Sequence, residues 1–378
     1  MHIIDHVGIG GAQKSVTMLA RVIHEYDSKL IVLSLYKSQS ISFHDELESD
    51  GAEIHYFPGT KLLGIRRIVS IIKFLRVERV DIVHTHLVYG NIIGIIAARL
   101  AGVPVMAMCH SSGIDPKLYH PIRHWLETWL LRFAANMVTG DSHSAAAAQR
   151  PRLKTKPIYA VPNAVSEVPP IPDSTIEAIR EKFTAGDDCT LIITVGRLSA
   201  PKGYSDLITA FNIVSKLHPK TRLVIVGKGD LYDELAEQIE LLGVSESVIL
   251  TGPRGDVPAL LAASDLFVSS SHWEGLSLAL LEAMMSGLPI VATKVGDALR
   301  VVPENVGIIV PPKEPKKLAE ALLTFIEDPK KRKIYGQNAH ENATQNLGPK
   351  PWAELLFSLY EQVLSETNSK SVISAVSA

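Results

Sequence analysis

The chain has 378 residues, is 46% hydrophobic and 21% charged, and carries a formal net charge of −2. That length suits two domains with separate cores, and the near-neutral balance excludes a protein built to hold nucleic acid by charge alone. Its two cysteines, Cys109 and Cys189, fit no metal or redox spacing, and no apolar run reaches the roughly 18 residues of a membrane span, so a cytoplasmic protein with reduced thiols is expected.

The first residues, MHIIDHVGIGGAQ, lack the basic-then-apolar pattern of a signal peptide. HIID reads as a strand, VGIGGAQ (7–13) as a glycine-rich turn, and GAQKSVTMLARVIHEY as a helix. The turn is not G-x-G-x-x-G, because Gln13 stands where the third glycine belongs and no acidic residue is placed for a ribose. A strand over 30–35 follows. The segment 61–80 then carries Lys61, Arg66, Arg67, Lys73, Arg76 and Arg79 against the single acid Glu78. Interleaved Ile and Leu make it a basic amphipathic helix of the kind that lies on anionic lipid. A helix packed on a sheet with its charged side in water is the other reading. Strands are expected at 81–84, 104–108, 136–140 and 157–161, with a helix over NIIGIIAARLAG. His84, His86 and His110 fall at strand ends: His84 reads as structural, whereas His86 and His110 fall on the ligand side of the sheet.

Four prolines within 162–172 resist helix and sheet and mark a linker, set at 166–188 between domains 1–165 and 189–350. Candidate strands resume at 190–196, 222–227, 247–252, 265–270 and 289–293, separated by helical segments. Alternation of this kind gives an α/β fold with parallel sheets. A last helix is expected over 351–366, before a small, polar, unstructured tail at 367–378. Open parallel sheets bind ligands at the carboxyl ends of their strands, so the loops after strands hold the candidate chemistry.

Two such loops stand out. In TVGRLSAPKG (194–203), Gly196 permits close backbone approach, and Arg197 and Lys202 lie just before a helix starting near Tyr204, a suitable phosphate site. Two solvated surface charges are the alternative. In SHWEGLSLALLEAMMSGLPIVAT (271–293), a helix from about Leu276 to Ser286 offers free backbone N–H groups at Gly275, Leu276 and Ser277. Glu274 precedes that helix and Glu282 lies within it, so a ligand could start at the helix tip and run along its side. Glu274 could instead only stabilise the helix dipole, and Glu282 could be a surface residue. There is no Asp-x-Asp to hold a nucleotide-bound metal, no Walker loop and no nucleophile elbow.

These residues resemble glycosyltransferase family 4, the retaining GT-B glycosyltransferases. The matching pieces include VGRLSAPKG, the run from VILTGPRG to VATKVG with its Glu274 and Glu282 spacing, and, more loosely, IGGAQ, DIVHTH, the His110 segment and VPNAV. The resemblance implies GT-B architecture, two Rossmann-like domains facing a central cleft, with the C-terminal helix packing back toward the N-terminal domain. It implies that Arg197 and Lys202 bind the donor diphosphate. Glu282 holds the ribose, Glu274 and the backbone of Gly275, Leu276 and Ser277 hold sugar and phosphates, and the backbone around Arg254 lies near the base. Gly10 and Gly11 close over the diphosphate, His110 sits near the transferred sugar, and His86 is an acceptor-side candidate. His110, Arg197, Lys202 and Glu274 are then the catalytic set. No metal or cofactor is expected. The donor is a nucleoside-diphosphate sugar, UDP-linked before GDP-linked, and the acceptor a glycan or lipid-linked hydroxyl, with peripheral contact to the cytoplasmic face of a membrane. A sugar-nucleotide-binding partner subunit without activity and a nucleotide-sugar epimerase are the competing readings. The sequence departs from the family at Ala164, at Gln13-Lys14 and in the 297–305 loop, where Arg300 stands near an acidic position.

Overall fold

The computed structural model describes residues 1–8, 10–37, 42–59, 63–110, 120–184 and 189–376. The chain divides into two units, Met1–Asn163 with Pro349–Ala378, and Ala164–Gly348.

Unit 1 is built on seven parallel strands: β1 (His2–Ile4), β2 (Ile31–Ser34), β3 (Glu53–Tyr56), β4 (Val83–His86), β5 (Val105–Cys109), β6 (Met137–Gly140) and β7 (Ile158–Ala160). Their order is β3-β2-β1-β4-β5-β6-β7. The inner strands are buried on both faces, which is why they read as continuous apolar runs rather than alternating ones. Ile3, Leu33, Val83 and Ala107 from the sheet pack against Ile71, Leu75, Ile92 and Leu131 from its helices.

Unit 2 repeats the pattern with β8 (Thr190–Val195), β9 (Thr221–Val226), β10 (Val248–Gly252), β11 (Leu266–Ser269), β12 (Ile290–Thr293) and β13 (Gly307–Val310), ordered β10-β9-β8-β11-β12-β13. One core layer joins Ile193, Phe267, Leu281 and Met284, and the other joins Ile192, Phe211, Leu266 and Phe325. In both units strand order reverses beside the first strand, between β1 and β4 and between β8 and β11. Connections leave in opposite directions there, so the loops after those strands open a crevice. The loops after β8 and β11 are the two singled out by sequence.

Several expectations need correction. The segment 166–188 is not a bare linker: it carries the helix Asp173–Thr184, whose Ile179 and Phe183 join the unit 2 core. The prolines end at Pro172, immediately before the helix starts, where they do not break it. The last helix runs from Pro349 to Val376, over most of the segment expected to be an unstructured tail. Its docked part, with Trp352, Leu356 and Val363 buried in unit 1, provides the nucleus from which further turns propagate. Strand β4 lies two residues later than DIVH, and the sheet-edge strands β3 and β13 were not anticipated.

Candidate active site

Of the sugar-nucleotide residues expected in unit 2, Gly196, Arg197, Lys202, Glu274, Gly275, Leu276 and Ser277 lie on two loops that are tied to each other. The first leaves β8 at Gly196, whose N–H donates to Val226 O at 2.9 Å. A Cβ at Gly196 would stand 2.8 Å from the Tyr204 hydroxyl and 3.3 Å from Lys202 Cε, so glycine is what lets the lysine fold back over the strand end. Leu198 N–H donates to Lys228 O at 3.0 Å, and a 3₁₀ turn over Ala200–Lys202 precedes Gly203, at φ 62°, and the helix Tyr204–Leu217. The second loop leaves β11. His272 N–H donates to Pro201 O at 2.7 Å, Ser270 Oγ donates to Lys202 O at 2.9 Å, and His272 Nε2 meets Asp206 Oδ2 at 2.8 Å.

Across this junction the Lys202 ammonium is paired with the Glu274 carboxylate, whose other oxygen accepts from Ser271 Oγ at 2.9 Å. Burial, followed by the nearby Glu274 charge, pushes the Tyr204 phenol well up, so it remains a neutral hydroxyl under the loop. A third segment closes the site. Gly296, at φ 52°, leaves no space for a Cβ against Gly275 O, and Asp297 N–H donates to that same carbonyl at 2.9 Å. A small cavity between them is lined by Glu274, Gly275, Leu276, Ser277, Leu280 and Thr293.

The helix expected from Leu276 spans Leu278–Met285, with Ser277 as an N-cap that makes no side-chain cap bond. Its first-turn N–H groups therefore face the cavity end without an intrahelical acceptor. Glu282 is half-buried one turn along that helix. Arg197 is exposed beside Gly196, and Arg254 follows β10 in a two-point pair with Asp256, with Nε to Oδ1 at 2.8 Å. In the 297–305 loop, Asp297 is buried at the N-cap position of the short helix Ala298–Val301 without a side-chain cap bond, while Arg300 is exposed.

In unit 1, Gly10 caps the helix Gly11–Val22, and Gln13 secures the turn by donating Nε2–H to His6 O at 3.0 Å. Ile9 lies outside the described residues, as does the segment 111–119 that follows His110. His86 is not open to an acceptor. It is 2% exposed, because β4 is a central strand and its alternate residues His84 and His86 pack against His2 of β1. His86 Nδ1 lies 2.9 Å from His110 Nε2, and His86 Nε2 lies 2.9 Å from His2 Nδ1. Beyond them, Tyr360 Oη lies 3.0 Å from His2 Nε2 and 2.8 Å from His84 Nδ1, while His110 Nδ1 meets Asp141 Oδ2 at 3.3 Å. Both ring nitrogens of His110 are thus engaged within unit 1. Burial, and then neighbouring imidazoles, hold His2, His84 and His86 well below the usual imidazole range, so all three are neutral. His2, Asp141 and Tyr360 were missed in the sequence. The period-two spacing of His84 and His86 was the available signal, but the contact to Tyr360 spans 358 positions.

Asp5, just past β1, accepts an N–H from Gly90 at 2.6 Å, and burial pushes its carboxyl up to about 7 from an ordinary 3.8. Between those values the folded chain holds a proton that the unfolded chain has lost, so stability falls as pH rises from about 4 to about 7 and then levels. Asp5→Asn keeps the acceptor oxygen and removes the titration. The wild type is expected to lose up to roughly 4 kcal/mol across that window relative to the variant, from about three units at 1.36 kcal/mol each. Urea unfolding at pH 5 and pH 8 samples about two of those three units, roughly 2.7 kcal/mol, and parallel curves for the two proteins would exclude Asp5 as its source.

The comparisons with known proteins agree with this geometry. The family model for Glycosyltransferase Family 4 matches residues 9–167, and the model for Glycosyl transferases group 1 matches residues 175–342. The UDP-Gal:alpha-D-GlcNAc-diphosphoundecaprenol alpha-1,3-galactosyltransferase of Escherichia coli is 30% identical over 280 residues, 70% of this chain and 71% of that protein. The 2-deoxystreptamine glucosyltransferase of Streptomyces kanamyceticus is 24% identical over 81% of this chain and 85% of its own. The crystal structure of Anabaena HepE in complex with UDP has the same fold, with a TM-score of 0.79 at 22% identity, covering 96% of this chain and all of that one. Matched in this way through both Rossmann-like units, the chain belongs to glycosyltransferase family 4 and is a glycosyltransferase of the GT-B class.

Proposed function

We propose that the protein moves a sugar from a UDP-sugar to the hydroxyl of a lipid-linked acceptor at a membrane face, with retained anomeric configuration and without a metal. The observation that carries the donor reading is the Lys202–Glu274 pair at the mouth of a cavity ended by an uncapped helix tip. The pair keeps both charges balanced until a ligand arrives. A diphosphate offers Lys202 a stronger anionic partner, joined by Arg197 and the helix N–H groups, and this releases Glu274 to accept from sugar hydroxyls. Glu282, further along the helix, takes the ribose hydroxyls, and the backbone beside Arg254 takes the base. As the C1–oxygen bond breaks, its electron pair passes to the diphosphate, whose growing charge these fixed donors stabilise. The acceptor oxygen forms its bond on the same face and gives its proton to the departing phosphate. UDP is favoured over GDP because the E. coli relative is named for UDP-Gal and the HepE structure holds UDP.

The test is a sugar-nucleotide panel. UDP at 100 times its dissociation constant should add about 2.7 kcal/mol of stability, and Glu282→Gln should weaken UDP binding by about 1.5–3 kcal/mol with the fold kept. Stabilisation by GDP alone would overturn the base, and stabilisation by neither nucleotide would overturn the donor site.

The membrane part rests on unit 1. The helices Ile65–Val77, Leu87–Ala101 and Pro121–Phe133 pack side by side. Ile122, Trp125, Trp129 and Phe133 form one exposed stripe at helical spacing, with Trp125 66% and Phe133 67% exposed. Ile65, Val69 and Val77 are exposed two helices away, among exposed Arg66, Lys73 and Arg76. Arg67 is not part of this charge, because it is buried with its guanidinium 5.9 Å over the Tyr36 ring. Lys61 lies outside the described residues. An aromatic stripe with interspersed cations suits an anionic lipid surface. No helix among the described residues is long and apolar enough to cross a membrane. The acceptor named for the E. coli relative, a diphosphoundecaprenol, is a lipid. Trp125→Ala with Trp129→Ala should lower binding to anionic vesicles more than tenfold, since each ring offers on the order of 100 Å² at about 25 cal/mol per Å². Equal sedimentation with neutral and anionic vesicles, or none with either, would remove this part.

A further inference from the structure

We infer that the Asp141 carboxylate sets the tautomers of four histidines in unit 1 through one directional hydrogen-bonded chain, making His86, His2 and Tyr360 positioning residues for His110. The polarity follows from what each group can donate. A carboxylate only accepts, so the contact from Asp141 Oδ2 requires His110 to carry its proton on Nδ1. With a single proton on His110 its other nitrogen is an acceptor, so His86 Nδ1, on a ring held neutral by burial, donates to His110 Nε2 at 2.9 Å. The same logic makes His2 Nδ1 donate to His86 Nε2 at 2.9 Å, and makes the Tyr360 hydroxyl donate to His2 Nε2 at 3.0 Å. The Tyr360 oxygen accepts in turn from His84 Nδ1 at 2.8 Å. All four rings therefore carry Nδ1–H, the tautomer that a histidine in water favours less.

Two further observations fit this polarity. The assignment ends on a bare lone pair at His84 Nε2, and that buried nitrogen has no hydrogen-bond partner among the described residues. The reversed chain would instead bury an unpaired N–H at His84 Nε2, and would need an extra proton on Asp141 or on His110. Burial also keeps His2, His84 and His86 neutral, the state in which each ring has one donor and one acceptor. The ring stacking of His2 on His86, with centroids 4.9 Å apart, leaves these side chains little freedom to turn.

The consequence for His110 rests on the glycosyl-transfer reading, but the chain itself does not. His110 presents neither nitrogen as a free donor. A sugar hydroxyl reaches Nε2 only by taking the place of His86, so the chain beneath governs how readily His110 engages a ligand. Tyr360, on the helix Pro349–Val376, links His2 to His84 within that chain. His2, His84 and His86 also place three ring nitrogens close enough to hold a transition-metal ion, and the experiment distinguishes that use from hydrogen bonding.

The experiment is long-range ¹H–¹⁵N spectroscopy of histidine-labelled full-length protein at neutral pH. Four histidines, assigned through His→Gln variants, should show a protonated Nδ1 and a bare Nε2. Tyr360→Phe, which removes one oxygen, should return His2 and His84 to a tautomer mixture while His110 stays Nδ1–H. Its turnover should fall about threefold to tenfold with the donor KM unchanged. Finding any of His2, His86 or His110 as Nε2–H or doubly protonated in the wild type would overturn the chain. So would stoichiometric Zn²⁺ binding that shifts His2, His84 and His86 together, which would make the cluster a metal site. The tautomer readout needs no donor, so it stands or falls separately from the transfer assay.

Discussion

Lys202→Ala should lower sugar transfer by about 10²–10³-fold, the usual loss when one preorganised donor to a developing charge is removed. Thermal stability should fall as well. The pair that Lys202 makes with Glu274 is only about one-fifth exposed at each partner, so removing the lysine leaves a largely buried carboxylate with Ser271 Oγ as a donor, at a cost on the order of 1–3 kcal/mol. The lysine is held by Gly196 behind it and by Ser270 on its carbonyl, so its position belongs to the loop rather than to the ion pair. Arg197→Ala should give a loss of similar order, with less effect on stability, because Arg197 is exposed. Lys202→Arg should recover only part of the rate, since a planar fork does not reproduce the point contact that a single ammonium makes with Glu274. Turnover is to be measured with and without EDTA. Near-normal rates in both alanine variants would refute the role given to this loop. Loss of wild-type activity in EDTA, restored by magnesium or manganese, would refute metal-free transfer.

Gly227→Ala should destabilise the protein by about 3 kcal/mol, lowering the melting temperature by roughly 6–12 °C for a unit of this size. Gly227 sits at φ 152°, and a Cβ there would fall inside the Gly196 carbonyl oxygen. Neither backbone can yield without losing hydrogen bonds. Gly196 N–H is held by Val226 O at 2.9 Å, and Gly227 N–H by Gly252 O at 3.0 Å. Relief comes only by pushing the Gly196–Gly203 loop outward, so UDP binding should fall together with stability. Gly255→Ala is the control, since a Cβ there meets nothing within 4 Å and needs no positive φ. Its melting temperature should stay at the wild-type value. Equal melting temperatures for the two variants would show that the close approach at Gly227 is not holding the loop.

What could be read from the sequence was whatever local pattern controls. Strands buried on both faces announce themselves as apolar runs, and so Ile31–Ser34, Thr190–Val195 and Ile290–Thr293 were visible. Glu53–Tyr56 is a half-exposed edge strand with no such run, and it was not. The prolines before Asp173 read as a linker in sequence, although proline is tolerated at a helix start and the helix Asp173–Thr184 follows them directly. The loops carrying Arg197, Lys202 and Glu274 were legible because glycines and charges directly after a strand are a local signal. The pairing of Lys202 with Glu274 joins residues 72 positions apart, and nothing in either loop alone announces it. Burial of His86 was illegible for the same reason, since it depends on a neighbour at position 2 and a tyrosine at position 360.

Unit 1 is discontinuous in sequence: its sheet is complete by Asn163, but the helix that seals it begins at Pro349. On the ribosome the first 163 residues therefore emerge without Trp352, Leu356, Tyr360 and Val363, all of which are buried in the finished unit. At roughly 5–20 residues per second, synthesis of the intervening segment takes on the order of 10–40 s. Throughout that interval His2 and His84 lack their shared hydroxyl and the site of the Tyr26–Phe357 stack stands open to solvent. Unit 2 is continuous and can close first. The nascent chain thus holds a nearly finished unit whose apolar seam waits for the helix that starts at Pro349, and a chaperone that shields exposed apolar surface would find its target there.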